Sequence, residues 1–217
     1  MNTTISFQRI LFAFCAFIGL LMFVRTIYTR DLSYAFIPWN IFLAWIPFFI
    51  SNLFSRLHNK KWWLQLFVFC SWLIFFPNAL YIVTDLVHLE EENDIPKWFD
   101  AVLIFSSSVA GLMMAFVSLY RTEKYLCRYF GDKLTILITA VLLFLGSFGV
   151  YLGRFLRWNS WDIISDPIRL LFSIGYRVAS PIDHLHTWAT TFVFTILFYL
   201  LYLAIKKMPG YLSQANT

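Results

Sequence analysis

Charge is scarce in this chain. Asp, Glu, Lys and Arg supply 13% of its 217 residues, against about a quarter in an ordinary soluble domain, too few to cover a water-exposed surface. Cysteine is nearly as sparse. Cys15 and Cys70 fall inside apolar runs and Cys127 in a short basic stretch. With no C-x-x-C spacing and no paired framework, neither a disulfide scaffold nor a cysteine metal site is indicated. Low-complexity linkers and internal repeats are absent from the sequence, and no segment reads as a soluble domain. The first apolar run follows Arg9 as a secretory signal would, yet it leads into Val24, Arg25 and Thr26 without a small-x-small cleavage pattern, so it reads as a retained helix.

What is abundant is apolar and aromatic: 60% and 21% of the residues, with a mean hydropathy of +0.69. A hydrocarbon core of about 30 Å needs about 20 helical residues, and six stretches meet that length, near 8–24, 36–54, 62–83, 99–120, 134–152 and 187–205. Their continuous apolarity favours helices over barrel strands, which alternate. The expected fold is all-α: a polytopic membrane protein forming a single integral membrane domain, with six transmembrane helices. One further helix, interfacial or re-entrant, lies between the fifth and sixth.

Six spans place the N-terminus, residues 55–61, residues 121–133 and the C-terminal tail on one side. That side carries Arg9, Arg56, Lys60, Lys61, Arg121, Lys124, Arg128, Lys133, Lys206 and Lys207 against Glu123 and Asp132. An excess of Lys and Arg marks the cytoplasmic face, so both termini are expected inside. The basic balance is then a matter of topology and calls for no nucleic-acid partner. Trp62 and Trp63 fall at the inner edge, and Trp39, Trp98, Trp158, Trp161 and Trp188 near the outer edge, as interfacial anchors do.

The third stretch ends Phe76-Pro77-Asn78-Ala79-Leu80-Tyr81-Ile82-Val83-Thr84-Asp85-Leu86-Val87-His88. If the helix continues, Asn78, Tyr81, Asp85 and His88 share a stripe about 80° wide. Pro77 would free a carbonyl about one turn earlier, which must find another partner. The blander reading is a helix end meeting headgroups and water. In the fifth stretch Ser147, Tyr151, Arg154 and Trp158 share a face, and Gly149 with Gly153 forms a small-xxx-small pair suited to close helix packing. The segment 168–178 is too short to span, with Arg169, Ser173, Tyr176 and Ser180 on one face.

Four arginines, Arg154, Arg157, Arg169 and Arg177, lie in this outer region, against the orientation rule. Their guanidinium forks suit phosphate or carboxylate. Alternatively they pair with Asp85, Glu90, Glu91, Glu92, Asp94, Asp162 or Asp183. Metal binding is a separate expectation: Asp85 and His88 with His184 and His186 would offer one oxygen and three nitrogens to zinc or manganese, although no H-E-x-x-H helix occurs.

The run Phe76 to Leu89 and the run Gly149-Val150-Tyr151-Leu152-Gly153-Arg154-Phe155-Leu156-Arg157-Trp158-Asn159-Ser160-Trp161-Asp162 resemble a bacterial multi-pass membrane family known as domain of unknown function 1361. The resemblance implies a bacterial plasma-membrane protein without an assigned reaction, and it transfers no catalytic residue. A second proline is usual where Leu80 stands.

Three function classes follow. Ion-coupled transport is disfavoured because the span middles offer Gln65, Cys70, Ser71, Ser106 to Ser108, Thr139 and Ser147 and no ionisable pathway. A binder or enzyme acting on an anionic or lipid-linked headgroup would use Asp85 or His88 as base, Asn78 and Tyr81 to orient, and Arg154, Arg157, Asn159 and Asp162 to hold the ligand. A non-enzymatic assembly protein would use the same polar rim structurally. The bilayer is the one partner that the composition demands; protein partners and a cofactor are left unspecified.

Overall fold

In a computed structural model, which describes residues 6–57, 60–89 and 95–214, long apolar runs form helices, the only open-chain structure that satisfies every backbone group without water. The α-helices are α1 (Phe7–Thr29), α2 (Phe36–Ser51), α3 (Trp62–Tyr81), α4 (Lys97–Leu156), α5 (Asp162–Ser165), α6 (Pro167–Ala179) and α7 (Leu185–Gln214). Two 3₁₀ segments, Asn52–Arg56 and Ile82–His88, extend α2 and α3. Among the described residues there is no strand, and five helical segments are long and apolar enough to cross a membrane.

The expected fourth and fifth stretches fall within one helix, α4. Residues 121–133 were expected as a loop, but Leu, Lys, Arg and Glu in that segment are good helix formers and no proline interrupts it. The interruption is confined to Gly131, at φ 70° and ψ 173°, a conformation essentially reserved for glycine. An unbroken rod of 60 residues would measure about 90 Å, three times the hydrocarbon thickness.

The chain divides into two units, Met1–Ser118 and Leu119–Thr217. In the first, α2 packs on α3 around Trp72, which is fully buried, stacked on Phe76 at 4.6 Å and edge-on to Phe54 at 6.2 Å. Gly111 brings α4 against the end of α3: a Cβ there would stand 2.8 Å from Ile82 Cδ1 and 3.0 Å from the Ala79 carbonyl oxygen. The Ser108 hydroxyl donates to the Ile82 carbonyl at 3.2 Å, where α3 gives way to the 3₁₀ turn. The link from α1 to α2 is set locally. Arg30 takes a left-handed φ of 52°, and the Asp31 carboxylate accepts from the Ser33 hydroxyl and, at 3.1 Å, from the Ser33 N–H. The hydroxyl bond is the main reason the Asp31 carboxyl is held below the usual carboxylate range.

In the second unit, Phe144 and Phe148 of α4 stack on Trp188 of α7 at 6.4 and 5.7 Å. Glu123 accepts hydrogen bonds from the Tyr202 hydroxyl and the Lys206 ammonium.

Candidate functional site

The C-terminal end of α1, the link to α2, the start of α2, the 3₁₀ turn after α3 and the start of α4 contribute seven polar or aromatic side chains to two sets of contacts. Arg25 Nε donates to Asp100 Oδ1 at 2.9 Å and Nη2 to Oδ2 at 3.3 Å, a two-pronged pair with both residues 2% exposed. The guanidinium lies 3.7 Å from the centroid of the Tyr34 ring, so the ring's negative face shares the cation with the carboxylate. The Tyr34 hydroxyl donates to the His88 carbonyl at 3.0 Å, and the His88 ring packs 4.8 Å from that of Phe36. Asn40 Nδ2 donates to Asp85 Oδ2 at 2.8 Å.

Asp85 is 1% exposed and His88 half-buried. The helix does not continue unchanged to them, because the 3₁₀ geometry that begins at Ile82 has about three residues per turn. Asp85 and His88, three apart, therefore lie one above the other on the same edge. Asn78 and Tyr81 are half-buried in the last turn of α3. Chemically, a buried carboxylate oriented by an amide, and a half-buried imidazole one 3₁₀ turn further on, are groups of the kinds that move protons.

In the second unit Arg154 is half-buried in the last turn of α4. Arg157 is exposed at φ 59°, and the Trp158 N–H reaches the Leu152 carbonyl at 3.1 Å. That bond folds the chain back over the last turn of the helix, with Arg157 in the left-handed position that is usually glycine at a helix end. The helix thus ends before Trp158, which leaves the expected face of Ser147, Tyr151 and Arg154. Asn159 and Asp162 build a local turn: Asp162 Oδ2 accepts the Asn159 N–H at 2.6 Å and Oδ1 the Ser165 hydroxyl at 3.0 Å. His184 packs edge-on to Tyr176 at 4.9 Å, and His186 contacts Phe155 at 4.9 Å and Tyr151 at 5.8 Å.

A family model described as "Protein of unknown function (DUF1361)" matches residues 39–203, well over half of the chain. The chain belongs to the DUF1361 family. No curated protein and no solved structure matches it.

Of the polar groups in this DUF1361 chain, the sequence reading missed Arg25, Tyr34, Asn40 and Asp100. Arg25 and Asp100 each stand near the end of an apolar run, where a charge ordinarily meets headgroups. Nothing in their spacing announces a pairing across 75 residues. Among the described residues no three His, Cys, Asp or Glu side chains are grouped as metal ligands, so the metal reading gains no support from their placement. The acids Glu90, Glu91, Glu92 and Asp94 lie outside the described residues.

Proposed function

We propose that this chain is a multi-pass protein of the bacterial cytoplasmic membrane that binds or processes an anionic or lipid-linked headgroup at an outward-facing polar site. Both termini are cytoplasmic. The helix α4 makes two of six crossings, separated at Gly131, and a short interfacial or re-entrant segment precedes the last crossing. The observation that carries the reading is Asp85, a carboxylate almost wholly removed from solvent, oriented by Asn40 and followed one 3₁₀ turn later by the half-exposed His88. Burying a carboxylate costs several kcal/mol, a burden that membrane proteins commonly carry at functional positions. Asp85 and His88 are the proposed acid–base groups, with Asn78 and Tyr81 orienting. In the second unit Arg154 and Arg157 are proposed as anion-binding positions in their own right.

Purified protein is screened with phosphate-bearing and lipid-linked headgroup compounds for thermal stabilisation, then Asp85→Asn, His88→Ala and Arg154→Ala are compared with the parent. Loss of the ligand-dependent shift at preserved basal stability supports the site. Full retention in all three variants removes it. Reporter fusions at the two termini check the topology, and a terminus found outside refutes the six-crossing arrangement.

A second reading, an assembly protein whose polar rim is structural, is favoured by the mutual neutralisation of Arg25 and Asp100 and by the use of both Asp162 oxygens in a local turn. Under it, no headgroup shifts the melting of the parent protein.

A further inference from the structure

The helix α6 turns its sides the opposite way from an amphipathic helix in water. Ser173 and Arg177 on its polar side are half-buried: Trp158 Nε1 donates to Ser173 Oγ at 3.3 Å, and within the helix Arg177 Nη1 donates to the Ser173 carbonyl at 2.7 Å and to its hydroxyl at 2.9 Å. The Arg169 guanidinium lies 5.9 Å from the Trp158 ring centroid. The opposite stripe faces outward, with Ile168 68%, Leu171 68% and Phe172 74% exposed, and Tyr176, expected on the face of Arg169 and Ser173, borders this stripe instead at 61% exposed. These four, with Gly175 and Ala179, form a shallow apolar hollow open to the outside. Leaving such a face in water forfeits roughly 25 cal/mol for every Å² of apolar surface. In the preceding and following segments Ile164 is 87% and Ile182 80% exposed.

With 13 residues α6 is too short to span. The arginines on its other side and the neighbouring Trp158 and Trp161 are the residue types of the membrane–water boundary. The same chain carries five apolar helices that are long enough to cross a bilayer. We propose that α6 lies along the bilayer surface, with the Ile168–Leu171–Phe172–Tyr176 face and its hollow occupied by phospholipid acyl chains. Its polar stripe is clasped to Trp158. This goes beyond the reading above by choosing an interfacial over a re-entrant placement and by assigning the face its occupant.

Gly175 makes the test clean, because a Cβ there would meet no atom within 4 Å. In a full-length background carrying Cys15→Ser, Cys70→Ser and Cys127→Ser, nitroxide labels are placed through Gly175→Cys, Phe172→Cys and Ser173→Cys. The protein is reconstituted in phosphatidylethanolamine–phosphatidylglycerol nanodiscs. Power saturation with oxygen and with a water-soluble nickel chelate then reports the surroundings of each label. At 172 and 175, oxygen collisions are expected to exceed chelate collisions several-fold, with the labels about 5 to 10 Å inside the headgroup boundary. The label at 173 should be shielded from both reagents. The proposal is overturned by chelate-accessible labels at 172 and 175, by a depth at the bilayer centre, or by dipolar broadening from a second copy. Should the cysteine-free background not fold, unmodified protein is labelled with phosphatidylglycerol bearing an acyl-chain diazirine. Adducts on Leu171, Phe172 and Tyr176 support the proposal, and adducts elsewhere alone overturn it.

Discussion

Replacing Asp100 by Ala or Asn strands Arg25. The guanidinium is 2% exposed and is held by both carboxylate oxygens at 2.9 and 3.3 Å, so the variant leaves a buried cation facing the Tyr34 ring at 3.7 Å and the weaker field of the Asp31 carboxylate. Breaking a buried pair from one side typically costs 3 to 5 kcal/mol. Because the ring contact is present in the parent too, only its tightening once the carboxylate is gone can offset part of that, by about 0.5 to 2 kcal/mol, which leaves about 1 to 4.5 kcal/mol. For a chain of this size each kcal/mol moves the melting temperature by about 2 to 4 °C. A drop on the order of 2 to 18 °C follows, with values near the middle expected. The assay is thermal unfolding in detergent, run beside the double variant Arg25→Met/Asp100→Leu. Removing both charges together is expected to cost far less than removing one, because the desolvation penalty disappears with the pair. A double variant as unstable as Asp100→Ala, or an Asp100→Ala protein that melts with the parent, refutes the reasoning.

Gly111→Ala is expected to destabilise by about 1 to 3 kcal/mol, since its Cβ would strike Ile82 and the Ala79 carbonyl, while Gly19→Ala, with nothing within 4 Å, is near neutral in the same melting assay. Gly131→Ala has open space around its Cβ, so a loss of about 1 to 3 kcal/mol there reports backbone strain alone. Trp72→Ala empties the centre of the first unit and is expected to cost about 3 to 5 kcal/mol. Arg157→Gly relieves a left-handed residue and should raise stability by about 1 kcal/mol; if Arg157 holds an anion, the same variant weakens headgroup-dependent stabilisation.

The helices were legible because hydrocarbon imposes a length and a composition that few other environments demand. The stretches near 8–24, 36–54, 62–83 and 187–205 correspond to α1, to α2 with its 3₁₀ extension, to α3 and to α7, and the short 168–178 segment to α6. The helical state of residues 121–133 was lost to the charges there, which read as a loop although the same residues favour helix. At the site, Asp85 and His88 stood out as polar groups at an apolar helix's end. Their geometry did not, since the switch to 3₁₀ at Ile82 has no sequence mark that the periodicity of an α-helix would reveal. Asn40 and Tyr34 were invisible for a simpler reason: an amide and a phenol near a span boundary are ordinary there, and only the folded chain brings them to Asp85 and His88.

The separation of Arg25 from its acid has a consequence for how this protein is made. Asp100 is translated 75 residues later, an interval of about 4 to 15 s at 5 to 20 residues per second. During that interval the arginine has no Asp100 to pair with. The two-pronged pair that buries this cation therefore becomes available only once the start of α4 has been made, whatever the apolarity of α1 has achieved by then.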